Sequence, residues 1–126
     1  MNLLLDTHVL IWALENNSRL SMEARDAIID GENMVFVSAV SVWEIGIKKA
    51  MGKLKAPDNL LEEVALHRFT PLNIHFEHAQ LAGELADIHK DPFDRMLIAQ
   101  AILEKLTLVT RDKTIARYDV SLLEIK

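Results

Sequence analysis

Met1-Asn2-Leu3-Leu4-Leu5-Asp6-Thr7-His8-Val9-Leu10-Ile11-Trp12-Ala13-Leu14 opens the chain and decides its fold class. Asn2 to Leu5 is an uninterrupted aliphatic run, the pattern of a strand buried on both faces. Thr7 to Leu14 then turns to helix, until Asn16-Asn17-Ser18 breaks it. The same alternation recurs along the chain. Met22 to Asp30 reads as a second helix ending at Gly31, and Met34 to Val37 as a second strand. Ser41 to about Met51 is a helix stopped by Gly52, and Asn59 to His67 is another. Phe69 to Leu72 is extended, and Pro71 restricts it to a sheet edge. His75 to Ile88 is expected to be helical, as is the apolar stretch from Asp91 through Leu106. Thr107 to Thr110 is a strand, and Val120 to Ile125 suits a last one. Short apolar runs alternating with helical patterns mark βαβ units and a parallel sheet. The expectation is one α/β/α layered domain over residues 1–126.

The bulk properties narrow the chemistry. The chain has 126 residues, 50% of them hydrophobic, and carries no cysteine. Disulfides, thiolate zinc sites and cysteine nucleophiles are therefore excluded, and a cytoplasmic setting is expected. No segment reaches the roughly 18 apolar residues of a membrane span, and the early charge at Asp6 does not read as a signal peptide. The net charge of -5 argues against nucleic-acid binding by charge alone. It leaves open a nuclease whose bound cations reverse the local sign.

In open parallel sheets, ligands bind beyond the carboxyl ends of the strands. Asp6 ends the first strand, where a charge directly after Leu3-Leu4-Leu5 is poorly placed for solvent. Asp112 follows the strand Thr107 to Thr110, and Glu44 opens the helix after the second strand. Asp94 opens the helix that precedes the Thr107 strand, so it reaches the same edge only if an earlier element delivers it there. Each acid also has an ordinary reading. Glu44 fits a capping box with Ser41. Asp91 fits an N-cap with Pro92 at the first helical position, and Asp94 then favours the helix dipole. Asp112 fits a turn or N-cap before Thr114. If the four converge, each pair at ~4 Å costs about 4 kcal/mol at an effective dielectric of ~20. Protons or a cation must then occupy the site. An oxygen-only donor set suits Mg²⁺ or Mn²⁺ better than zinc.

Four segments now in hand resemble a known family: Leu3-Leu4-Leu5-Asp6-Thr7-His8, Val37-Ser38-Ala39-Val40-Ser41-Val42-Trp43-Glu44-Ile45, Asp91-Pro92-Phe93-Asp94-Arg95-Met96-Leu97-Ile98-Ala99-Gln100-Ala101, and Leu108-Val109-Thr110-Arg111-Asp112. Together they look like the PIN-domain toxins called VapC, across nearly the whole chain. The resemblance implies a three-layer, Rossmann-like α/β/α PIN domain with a central parallel sheet. It implies Mg²⁺- or Mn²⁺-dependent endonucleolytic cleavage of RNA, often tRNA or rRNA. It also implies a homodimer and a co-expressed VapB-like antitoxin. The family's acidic set carries over to Asp6, Glu44, Asp94 and Asp112. By that analogy Asp6 and Asp94 hold the main metal, Asp112 assists or coordinates a second, and Glu44 binds through water or helps activate the attacking water. Cleavage then leaves a 3′-hydroxyl and a 5′-phosphate.

Further candidates each carry two readings. Asp91 is a cap or a second acid of the site. Thr7 is an N-cap or a hydrogen-bond partner of a ligand, and Ser38 supports the site or ends its strand. His8 touches substrate phosphate or is a polar edge residue. Lys48, Lys49, Lys53 and Lys55 form the main basic cluster, either a guide for RNA or a solvated face. Arg95 and Arg111 adjoin ligand acids and pair with them or reach a phosphate. His75 and His78 are expected on a solvated helix face, and Trp12 and Trp43 in core or dimer packing. Leu10, Ile11, Met22, Ala24, Ile28 and Ile29 give the first helices an apolar surface suited to an antitoxin helix. A haloacid-dehalogenase phosphatase would place a second Asp where His8 stands, and a phospho-receiver would cluster its acids early. There is no P-loop or dinucleotide turn among 4 glycines. The competing reading from another class is a catalytically idle PIN-like module that binds RNA or protein.

Overall fold

Leu3, Leu4 and Leu5 form β1 (Leu3–Leu5) and have no solvent exposure, because the strand lies at the centre of a sheet covered on both faces. The computed structural model describes residues 1–126. β1 pairs with β2 (Val35–Ser38) on one side and β4 (Thr107–Thr110) on the other, with Leu4 opposite Phe36 and Leu108. β3 (Thr70–Leu72) and β5 (Leu122–Glu124) close the edges in the order β3-β2-β1-β4-β5, and every pairing is parallel. Pro71 sits in β3 opposite Val37. An outer strand tolerates a residue with no N–H to donate.

Side chains alternate across a strand, and here they divide the core in two. Leu3 and Leu5 pack with Val9, Leu10, Ile11 and Trp12 of α1 (Thr7–Glu15), Ala24 of α2 (Met22–Ile29) and Val64 of α4 (Leu60–Leu66). Leu4 packs on the other face with Leu97, Ile98 and Ala101 of α6 (Pro92–Glu104). α3 (Ala39–Ala50) spans both layers, giving Val40 to one and Ile45 to the other. This is the expected α/β/α arrangement around a parallel sheet. No helix is long and apolar enough to cross a membrane.

α5 (Phe76–Glu84) answers how Asp94 reaches the carboxyl edge. It packs antiparallel to α6: His78 meets Glu104 at 2.9 Å near the end of α6, while Arg95 near its start binds the Ala82 carbonyl at 3.0 Å. The pair thus turns the chain so that α6 begins beside the end of β4. Three expectations are corrected here. α5 stops at Glu84 and does not run to Ile88, because residues 85–89 leave the helix and Leu85, Ala86 and His89 give their carbonyls to Arg95. His78 is buried against α6 and does not face solvent; its Nδ1 accepts from the His75 N–H at 3.0 Å. Leu10, Ile11 and Ala24 lie in the core, so only Met22, Ile28 and Ile29 of the expected apolar surface remain accessible. Ile28 and Ile29 line a cavity of about 630 Å³ with Met34, Arg68 and Phe69. It opens at the start of β2 and β3, the opposite end of the sheet from the acids.

Candidate functional site

Asp6, Asp91, Asp94 and Asp112 come together because each stands at the end or the start of an element at the carboxyl edge, and Glu44 joins them from the second turn of α3. Asp6 follows β1. Its backbone N–H donates to the Val109 carbonyl at 3.1 Å, and its side chain caps α1 by accepting from Val9 N–H at 2.9 Å. Asp112 follows β4; its backbone N–H donates to Thr110 Oγ1 at 3.0 Å and its Oδ1 accepts from Thr114 N–H at 2.8 Å. Asp91 caps α6, accepting from Phe93 N–H at 2.8 Å with Pro92 at the first helical position. One turn then aims Asp94 inward. Asp6, Glu44, Asp91, Asp94 and Asp112 line one cavity of about 460 Å³, with His8, Trp12, Lys48 and Arg111 completing the wall.

Glu44 is not part of a capping box with Ser41. Ser38 is the N-cap of α3, its Oγ accepting from Val40 N–H at 3.0 Å, so the helix starts two residues earlier than expected. Glu44 therefore falls in the second turn and is buried. Thr7 donates to its Oε1 at 2.5 Å, and Lys48 forms an ion pair with its Oε2. Asp6, not Thr7, caps α1, which leaves the Thr7 hydroxyl to hold Glu44.

The electrostatics report an acid cluster under repulsion. Burial pushes Asp94 up to about 7, reinforced by the charges of Asp91, Asp6 and Glu44, and His89 only partly offsets this. Burial also pushes Asp6 up, against hydrogen bonds from Thr110 and the Val9 N–H. Asp112 feels burial too, but hydrogen bonds from His89 and Thr114 bring it below the usual carboxylate range. Such a set of carboxylate oxygens fits a hard divalent cation, whose charge relieves the repulsion. His89 Nε2 and one oxygen each of Asp94 and Asp112 lie within 4.8 Å of one another.

His89 and Thr110 are the site residues that the sequence reading missed. His89 Nε2 lies 2.8 Å from Asp112 and 3.1 Å from Asp94. Thr110 is buried at the end of β4 between Asp6 and Asp112. A histidine two residues before Asp91-Pro92 was the only local signal, and without the loop geometry it pointed nowhere.

The cationic candidates divide. Arg111 is exposed at the rim with no ion-pair partner, and His8 is exposed on the wall. Lys48 is engaged with Glu44, and Lys49 pairs with Asp58 at 2.5 Å. Lys53 and Lys55 are exposed but do not line the cavity. Arg95 is a correction: its guanidinium is taken up by the carbonyls of Ala82, Gly83, Leu85, Ala86 and His89, so it has no fork left for a phosphate. Arg95→Met is expected to lower unfolding free energy by about 2–4 kcal/mol in urea, since several carbonyls lose a charged donor. Arg95→Lys should recover little, because an ammonium cannot reproduce the fork. Trp12 is in the core as expected, but Trp43 is 62% exposed, its ring edge-on to Phe93.

Comparison with known proteins agrees with the fold. A chain in the crystal structure of VapBC2 from Rickettsia felis bound to a DNA fragment from their promoter matches at a TM-score of 0.74 and 17% identity, covering 100% of both chains. One in DNA-bound VapBC from Salmonella typhimurium matches at 0.72 and 19%, covering 100% of this chain and 99% of that one. One in a toxin–antitoxin complex from Klebsiella pneumoniae matches at 0.68 and 21%, covering 98% and 97%. No curated protein matches the chain in sequence. The PIN domain family model matches residues 3–121, and on that match the chain belongs to the PIN domain family.

Proposed function

We propose that this protein is a metal-dependent endoribonuclease and the toxin of a toxin–antitoxin pair. The observation that carries the reading is the convergence of Asp6, Glu44, Asp94 and Asp112 on one cavity at the carboxyl edge of the sheet, with Asp94 pushed up to about 7. A fold that holds so many acids together at a cost in stability keeps them for a cation. Asp6 and Asp94 would hold Mg²⁺ or Mn²⁺, with Asp112 assisting and Asp91 beside them. When bound, such an ion stabilises charge on a phosphoryl oxygen and makes water more acidic.

The chain's own groups supply the rest. Glu44, fixed by Thr7 and Lys48, orients the attacking water or accepts its proton. Arg111 at the rim meets an RNA phosphate, with His8 nearby. Attack by water on phosphorus leaves a 5′-phosphate and a 3′-hydroxyl. The fold likeness to chains from VapBC and toxin–antitoxin complexes supports a VapB-like antitoxin as partner. The exposed Trp43, Met51 and Leu61 are consistent with partner surfaces, including a homodimer.

The chemistry of the cut ends tests this. RNA fragments made by the purified chain are expected to carry 5′-phosphates, detected by digestion with a 5′-phosphate-dependent exonuclease. Fragments ending in 2′,3′-cyclic phosphate would mean attack by the RNA's own 2′-hydroxyl and would overturn the mechanism. Arg111→Ala is expected to raise KM several-fold, with little change in kcat, if it serves binding alone.

A further inference from the structure

His89 belongs to neither a strand end nor a helix, yet it stands between two acids from different elements. Its Nδ1 accepts from the Asp91 backbone N–H at 3.2 Å. That nitrogen therefore carries no proton, and in a neutral ring Nε2 carries it. Nε2 faces Asp112 Oδ2 at 2.8 Å and Asp94 Oδ2 at 3.1 Å. The N–H donates to Asp112, and Asp94 stands beside the same nitrogen, coupled to it by charge.

The peptide unit that presents this ring is held on both sides. The buried Tyr118 hydroxyl accepts from the His89 N–H at 2.7 Å and donates to the Ala86 carbonyl at 2.7 Å. Arg95 donates to the His89 carbonyl at 3.1 Å. Two side chains from elsewhere in the fold thus fix a loop residue whose ring nitrogens meet Asp112, Asp94 and the Asp91 backbone.

We propose that His89 is a positioning residue of the metal centre: its Nε2–H holds Asp112 in place beside Asp94 and pre-organises the two carboxylates for a divalent cation, without being a ligand itself. The proposal rests on the metal-site reading above. Nδ1 is committed to Asp91 and Nε2 to its proton, so neither nitrogen has a lone pair to give a metal. Groups that orient ligands in this way typically change metal affinity by about 10–100-fold when removed.

The test is calorimetric titration of the full chain with Mn²⁺. His89→Ala is expected to bind about 10–100-fold more weakly than the wild type. His89→Gln, whose carboxamide also offers an N–H, should regain part of the loss. Tyr118→Phe touches no acid but frees the His89 backbone, and it should weaken binding several-fold. Long-range ¹⁵N–¹H correlation on the histidine rings should show the Nε2–H tautomer for His89, unchanged when Mg²⁺ is added, a signature that a purely structural ring would not have to keep. Circular dichroism checks folding; if His89→Ala does not fold, the other two variants and the tautomer decide. Equal or tighter Mn²⁺ binding by the folded variants would overturn the proposal, as would loss of the Nε2 proton on metal binding. A wild type that takes up no Mn²⁺ would bring down the metal-site reading and this proposal with it, whereas binding that ignores the variants would bring down this proposal alone.

Discussion

Asp94→Asn is expected to reduce RNA cleavage by at least about 10²-fold, the usual scale for losing one group that stabilises a transition state, and at the same time to make the metal-free protein more stable. The two effects have one cause. Burial and the charges of Asp91, Asp6 and Glu44 raise Asp94 to about 7 from an ordinary 3.8. A carboxyl raised on folding favours the fold when protonated. Its contribution is fully present below about pH 4 and is lost as pH rises through 7. At pH 8 the ionised group opposes folding by about 2–4 kcal/mol on the scale of 1.36 kcal/mol per unit. Asparagine keeps the shape and removes the charge. Urea unfolding in EDTA should therefore show a gain that is negligible near pH 4 and approaches that figure at pH 8. A variant that loses both activity and stability would mean that Asp94 serves the packing of α6 instead of a cation.

Metal is expected to stabilise the wild type by the mirror of this effect. Mn²⁺ at about 100 times its dissociation constant should add about 2.7 kcal/mol to unfolding free energy, and EDTA should remove it. Without metal, Asp94 and Asp6, both raised by burial first, should make the thermal midpoint decline between pH 5 and pH 8. Asp112 works the other way, since a lowered carboxyl stabilises above its unfolded value, but its stabilising effect is already complete by pH 5 and leaves the trend of the window intact. Saturating Mn²⁺ should flatten the decline. A midpoint that ignores Mn²⁺ across this range in wild type, or that responds equally in Asp94→Asn, would contradict a cation held by these acids.

What was legible in the sequence was what local chemistry determines. Leu3 to Leu5 announced a doubly covered strand, and Asp6 marked its carboxyl end. Asp91 and Pro92 announced the start of α6, which fixed the direction of Asp94 one turn later. Glu44 was placed at the site, but its capping-box reading failed, because Ser38 and Ser41 are both competent caps and only the end of β2 selects Ser38. The remainder depended on how α5 meets α6. That packing buries His78, draws the Arg95 guanidinium onto five carbonyls and lifts His89 between Asp94 and Asp112. None of these contacts leaves a periodic trace along the chain.

The most direct test of a cation-dependent RNA-cutting centre is incubation of a total tRNA and rRNA pool with the purified chain, in Mg²⁺ or Mn²⁺ and in EDTA, beside Asp94→Asn. Discrete fragments that require the metal and disappear in the variant are the predicted result. Intact RNA after incubation with folded, Mn²⁺-loaded wild type, or cutting that survives both EDTA and the substitution, would contradict it.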